Sequence, residues 1–247
     1  VPKQTPSTNS DDYLRRHIIS DVRRFASEVH APKPFVPGED YIPYAGQVFD
    51  GNEIAAATDA LLEPWITMGK HTDQFEQVMA KYLGVKSCVF VNSGSSANLL
   101  ALSAITSQKQ DDPVEVGDEV ITVAAGFPTT VNPILQCGLV PVLVDVDPRT
   151  GNVNVNQLEA AASYRTRAVM LAHALGNPFD VDEVTAFCKE YDLWLIEDNC
   201  DALGSLYKGR LTGAFGHLST QSFYPPHHIT TGEGGMVNVT GDGKLTV

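Results

Sequence analysis

Short stretches of this chain carry side chains whose types and spacing could do chemistry. Residues 221–235, QSFYPPHHITTGEGG, place His227 and His228 after two prolines and before a glycine-rich run. Imidazole titrates near neutral pH and suits proton transfer, yet a histidine also serves as a hydrogen-bonded residue of a tight turn. Neighbours on an extended segment point to opposite sides, so adjacency alone does not bring both rings to one site. Residues 193–204, LWLIEDNCDALG, end an apolar run with Glu197 and Asp198. An acid at a strand's carboxyl end can pair with the protonated ring nitrogen of a pyridoxal-type cofactor, or it can be a loop acid or helix cap. Residues 92–100, NSGSSANLL, turn a strand into a helix through Gly94, Ser95 and Ser96. Free amides at a helix start can cradle a phosphate, although serine is also an ordinary cap. No G-x-G-x-x-G accompanies them, which argues against a dinucleotide. Phe127 in AAGFPTTVNP could stack on a flat ring or be buried. Ser222 offers a further phosphate ligand, and GEGG marks a backbone that packs closely against something.

Positioning such residues requires a scaffold, and the pattern between them supplies one. SCVFVN, EVITVA, VPVLVDV, AVMLAH and LWLIED are short apolar runs rich in β-branched residues, the mark of buried strands. Between them lie the helical segments SSANLLALSAI, TTVNPILQCG, NVNQLEAAAS and VDEVTAFCKEY. STQSFY and GGMVNV read as two later strands joined by the histidine segment. This alternation predicts an α/β fold, a mostly parallel sheet sandwiched by helices. Ligands of such sheets sit beyond the carboxyl ends of strands, where Gly94, Asp198 and His227 fall. Upstream, DDYLRRHIISDVRRFASEV predicts an amphipathic helix with Leu14, Ile18, Val22 and Phe25 on one face. GNEIAAATDALLE predicts a second helix, and HTDQFEQVMAKYLG a third, with Thr72 as its N-cap and Gly84 as its stop. The expected division is a helical arm over residues 1–40 and a cofactor-binding large domain over 41–247.

Composition narrows the function classes. Thirty acidic against 17 basic residues give a net charge of −13, which disfavours nucleic acid as a partner. A small phosphorylated ligand remains compatible, because a few backbone amides can hold it. No apolar run approaches a membrane span, and the polar start lacks a signal-peptide core, so the expected compartment is the cytoplasm. Cys88, Cys137, Cys188 and Cys200 form no C-x-x-C pair, so no metal site is expected within these residues and reduced thiols are.

From about Tyr41 onward the segments, in order, resemble the DegT/StrS-type sugar aminotransferases, a branch of the aspartate-aminotransferase fold acting on nucleotide-linked ketosugars. The carrying stretches are EPWITMGKHTDQFEQVMAKYLGV, VNSGSSANLL, VGDEVITVAAGFPTTVNPI, GLVPVLVDVD, LIEDNCDALGS and SFYPPHHITTGEGGMV. The resemblance implies that Gly94, Ser95 and Ser222 hold a cofactor phosphate. It implies that Phe127 lies against the pyridine ring and that Asp198 pairs with the ring nitrogen. Asp201 takes a place where many relatives carry glutamine and is expected to contact the cofactor.

One departure decides the chemistry the resemblance implies. Ordinary members carry a lysine at position 227, where it forms the Schiff base with pyridoxal phosphate; here it is histidine. That substitution resembles the family's deoxysugar dehydratases, of the CDP-4-keto-6-deoxy-D-glucose 3-dehydrase type used in lipopolysaccharide biosynthesis. The implied cofactor is pyridoxamine 5'-phosphate, with His227 as the base that drives loss of the C3 hydroxyl. The alternatives are a pyridoxal-phosphate-dependent aminotransferase using another lysine, or an inactive cofactor-binding fragment. The branch further implies a homodimer, a CDP-linked sugar substrate, and an iron–sulfur cluster fed by a partner reductase, with cluster cysteines only beyond Val247. Members are longer and carry a small C-terminal domain, so the chain is expected to be an N-terminal portion of such an enzyme.

Overall fold

A computed structural model describes residues 9–31, 33–43, 46, 48–64, 67–241 and 244–245; Trp65 and Ile66 of the resembling EPWITMGK stretch lie outside them. By compactness the chain forms two units, Val1–Asp73 and Gln74–Val247. The first holds α1 (Asn9–Val29) and α2 (Gly51–Leu61). Asp50 caps α2 in a reciprocal capping box with Glu53. Arg15 of α1 joins the two helices, bonding the Asp59 carboxylate, the Asp59 carbonyl and Glu63. The helix over the first amphipathic stretch is present, but Leu14, Ile18 and Phe25 of its expected apolar face are exposed.

α3 (Lys70–Leu83) crosses the border between the units. It begins two residues before Thr72, which is therefore a first-turn residue and not the cap. Its stop is as expected: Gly84 follows with φ +72, a conformation glycine adopts without a Cβ penalty.

The second unit is built on a seven-stranded sheet of order β1-β9-β8-β5-β4-β2-β3. The strands are β1 (Ser87–Val91), β2 (Glu119–Val123), β3 (Val140–Val144), β4 (Thr166–Ala172), β5 (Trp194–Asp198), β8 (Leu218–Ser222) and β9 (Gly235–Val239). All seven match the expected runs. β2–β5 and β8 pair in parallel, and β9 is antiparallel to both β1 and β8. The segment from Phe223 to Gly234 explains that reversal. It contains Pro225, Pro226, Gly232 and Gly234, so it forms no crossover helix, and the chain returns antiparallel. A hairpin of β6 (Leu206–Tyr207) and β7 (Arg210–Leu211) lies outside this sheet and has no counterpart in the sequence reading. β3 sits at an edge, where Pro141 breaks no interior ladder.

Helices α4 (Gly94–Ile105), α5 (Pro128–Gln136) and α7 (Val181–Glu190) cover the sheet. Ala101, Leu102, Ile105 and Ile134 pack with Val120, Ala168, Met170 and Ile196 on one face. Val181, Val184 and Phe187 pack with Ile121, Val169, Leu171 and Leu195 on the other. Alternate residues of β4 thus enter different cores, which is why its sequence is continuously apolar rather than alternating. The helix expected over NVNQLEAAAS is reduced to a 3-10 turn, Val155–Gln157, and the single-turn α6 (Leu158–Ala161). Side-chain competition accounts for it: Asn154 caps the Asn156 amide, and Gln157 reaches back to the Asp145 amide.

Candidate active site

Every parallel strand delivers its carboxyl end to the same edge of the sheet. β1 passes there into α4, β2 into α5 through Phe127, β5 into Asn199–Asp201, and β8 into the histidine segment.

Ser93, two residues past β1, caps α4 in an extended conformation, and its Oγ accepts from the Ser96 amide at 3.1 Å. The amides of Gly94 and Ser95 precede the first intrahelical bond, and the helix dipole adds partial positive charge there. Gly94 is required by its neighbours. A Cβ at this position would lie 2.5 Å from Ser222 Cβ and 3.1 Å from Cys200 Sγ. The absent side chain thus lets Ser222, at the end of β8, stand directly against the start of α4. Ser95 is exposed. GEGG also packs as expected: a Cβ on Gly235 would lie 2.2 Å from the Ser93 carbonyl oxygen, and one on Gly234 2.9 Å from the Phe90 ring.

Asp198 is 5% exposed, and its carboxylate is fixed by donors from three elements. Oδ2 accepts from Asn98 Nδ2 of α4 at 2.9 Å and from Thr130 Oγ1 of α5 at 2.7 Å, and Oδ1 accepts from the Cys200 amide at 3.2 Å. Asn98 is itself oriented, because its Oδ1 accepts from Thr220 Oγ1 at 2.6 Å. The Cys200 thiol also lies against this carboxylate. Sequence reasoning missed Asn98, Thr130 and Thr220. The only trace of Asn98 was a lone amide side chain in an otherwise small and apolar helix. Asn98→Ala is expected to lower stability by about 2 kcal/mol, since it strips a buried carboxylate of a donor and a buried hydroxyl of its acceptor. Urea unfolding of the variant checks this.

Phe127 is 67% exposed, which excludes the buried-aromatic reading and leaves its ring face free at the strand end. It holds the N-cap position of α5, with Pro128 as the first helical residue, and its carbonyl accepts from the Thr130 amide at 3.0 Å. The ring is thus placed one turn from the hydroxyl that grips Asp198.

His227 sits in the turn after β8, its amide bonded to the Tyr224 carbonyl at 3.0 Å. Its ring Nδ1 faces Asp201 Oδ1 at 3.3 Å. His228 is exposed. The turn thus leaves His227 largely enclosed and His228 exposed. The facing His227 ring and, more weakly, the charge of His228 hold the Asp201 carboxyl below the usual carboxylate range against the effect of its partial burial. Burial, with Asp198 alongside, pushes the Cys200 thiol up, which disfavours its thiolate.

The acid next to Asp198 serves the opposite face. Glu197 is completely buried and accepts from His173 Nε2 at 2.9 Å and from the amides of Gly213, Phe215 and Gly216. Burial alone would raise its carboxyl; the His173 bond and the backbone donors outweigh it, and the shift is downward. Glu197 pins the turn after β7 to the sheet.

A helix start with an exposed Ser95 beside a serine hydroxyl, a buried and fixed carboxylate and an exposed aromatic ring fit a phosphorylated pyridine.

Comparison with known proteins bears on this arrangement. The chain is 49% identical over 233 residues to "Lipopolysaccharide biosynthesis protein RfbH" of Salmonella typhimurium, covering 94% of this chain and 53% of that protein. It is 52% identical over 229 residues to "dTDP-4-dehydro-2,6-dideoxy-D-glucose 3-dehydratase" of Saccharopolyspora spinosa, covering 92% and 49%. The chain thus spans about half the length of these relatives. Among solved structures, "E coli GDP-4-keto-6-deoxy-D-mannose-3-dehydratase with bound hydrated PLP" superposes with a TM-score of 0.78 at 34% identity, over 83% of this chain and 52% of that one. The model of the DegT/DnrJ/EryC1/StrS aminotransferase family matches residues 48–246, and the chain belongs to that family.

Proposed function

We propose that this chain contributes the cofactor site of a pyridoxamine-phosphate-dependent C3 dehydratase for a nucleotide-linked 4-keto-6-deoxyhexose in deoxysugar biosynthesis. The observation that carries the reading is histidine at position 227, in the turn after β8, where ordinary family members have lysine. The names of the relatives support it: two similar proteins are named as 3-dehydratases of such sugars. A CDP-linked sugar is the substrate we favour, as the resemblance to the CDP-4-keto-6-deoxy-D-glucose 3-dehydrase type implies; the similar RfbH protein is named for lipopolysaccharide biosynthesis. The proposed assembly is a cytoplasmic homodimer served by a reductase, with any iron–sulfur cluster contributed by residues beyond this chain. Among the described residues no helix is long and apolar enough to cross a membrane.

Bound here, pyridoxamine phosphate supplies an amine that condenses with the sugar ketone and a ring that withdraws electrons as the C3 hydroxyl leaves. The chain's residues have distinct tasks. The Gly94 and Ser95 amides and the Ser222 hydroxyl hold the phosphate, adding donors to the helix dipole. Asp198 holds a proton on the ring nitrogen, and Asn98, Thr130 and Cys200 keep its oxygens aimed. Phe127 would stack on the ring face, and Asp201 would border the ring. His227 would serve as the base, taking a proton on an imidazole nitrogen, as imidazoles do near neutral pH. It cannot tether the cofactor as lysine does.

The test is to incubate the protein with pyridoxamine phosphate and CDP-4-keto-6-deoxyglucose and follow loss of water by mass spectrometry. A parallel sample with pyridoxal phosphate is treated with borohydride. Dehydration without covalent cofactor is expected. A cofactor reduced onto a lysine peptide, with amino transfer to the sugar, would overturn the reading.

A further inference from the structure

We propose that Asp201 is the positioning residue that sets the tautomer of His227: its Oδ1 accepts the Nδ1 proton and leaves Nε2 as the nitrogen that takes a proton. The inference rests on the reading of His227 as the base.

The geometry points this way from both partners. The backbone amide of His227 is already committed to Tyr224, so the main chain fixes the turn but not the ring. The ring's Nδ1 faces a carboxylate oxygen at 3.3 Å, and the imidazole is largely enclosed, with 19% of the side chain exposed. In neutral imidazole one nitrogen donates and the other accepts, and an ionised carboxylate only accepts. An acceptor on the Nδ1 side therefore selects the Nδ1–H form. Once Nε2 has gained its proton, the ring is a cation facing an anion.

Asp201 is held from behind for this task. The turn that ends β4 places Leu175 at φ +52 and Gly176 at φ +83. A Cβ on Gly176 would lie 2.9 Å from the Asp201 carbonyl oxygen, so the turn closes on the Asp201 backbone only because the residue is glycine. Ser205 Oγ ties the same turn by donating to the Gly176 carbonyl at 2.8 Å. The titratable groups facing the Asp201 carboxylate are His227 and His228, and its own charge acts on Cys200. Both histidines favour its ionised form, the state an acceptor needs.

The test needs neither cofactor nor turnover, so its failure is separable from failure of the dehydratase reading. Imidazole nitrogen shifts are recorded on the protein at a pH where the rings are neutral. The His227 signals are identified by their loss in His227→Asn. The expected result is the Nδ1–H tautomer in the wild type and in Asp201→Asn, which keeps an acceptor oxygen, and a shift to the Nε2–H form in Asp201→Ala. In His227→Asn the Asp201 carboxyl should titrate closer to the ordinary carboxylate value. A wild-type protein in the Nε2–H form, or an Asp201→Ala spectrum identical to wild type, would overturn the proposal.

Discussion

Under the proposed dehydratase reading, replacing His227 with asparagine is expected to lower the rate of sugar dehydration by about 10²–10⁴-fold, the range spanned by a general base. In barrier terms this is about 3–5 kcal/mol. Pyridoxamine phosphate binding should be retained, because the phosphate cradle, Asp198 and Phe127 belong to other elements and none bonds the imidazole. The local backbone should also survive, since its tie to Tyr224 uses the residue 227 amide, which asparagine keeps. Single-turnover mass spectrometry beside a spectroscopic titration of the cofactor separates these two quantities. Wild-type turnover in the variant would remove His227 from the chemistry. Loss of cofactor binding together with turnover would instead make it a structural residue. His228→Asn provides the contrast: that side chain is exposed, and its influence on Asp201 is the weaker of the two.

Gly235→Ala is expected to cost about 3 kcal/mol of stability, the upper part of the range for overpacking. The new methyl group would lie 2.2 Å from the Ser93 oxygen, 2.3 Å from the Ser93 carbonyl carbon and 2.6 Å from the Gly94 nitrogen. These are backbone atoms, so no side-chain rotation can relieve the overlap. Either β9 or the start of α4 must move, and the latter carries the amides assigned to the phosphate. Cofactor affinity should fall with stability, which ties a packing constraint to a binding one. Gly126→Ala serves as control. Its Cβ would meet only Val123 Cγ2, at 3.4 Å, an ordinary contact, and its backbone is not in the left-handed region. It should stay within about 1 kcal/mol of wild type. Chemical unfolding of both variants decides the matter, and equal midpoints would mean that the β9–α4 junction yields freely.

These two positions differ in how far the sequence disclosed them. Gly235 belongs to a GEGG run that signals close packing, but the partner is unspecified until β9 is found between β1 and β8. His227 is legible as a candidate because prolines and glycines forbid a crossover helix and place it in a connection at a strand's carboxyl end. Which of the two histidines turns inward is not legible, since extended chain merely separates them. The same limit applies to Glu197 and Asp198. Both are buried acids at one strand end, and period-two alternation sends them to opposite faces. Only the packing of α4 and α5 on one face, and of the 213–216 turn on the other, gives Asp198 to the ligand edge and Glu197 to a structural anchor. Thr72 shows a smaller failure of local reasoning: a good capping residue was passed over because α3 starts a half-turn earlier.

The sequence by itself determined the α/β class, all seven strands of the sheet and the edge at which the candidate site residues gather. Those features follow from local apolar runs and from which connections can form a helix. Tertiary structure alone decided that Asn98, Thr130 and Thr220 hold Asp198 and that Asp201 meets His227. These contacts join residues 26 to 122 positions apart, and a separation of that length leaves no periodic trace in the chain.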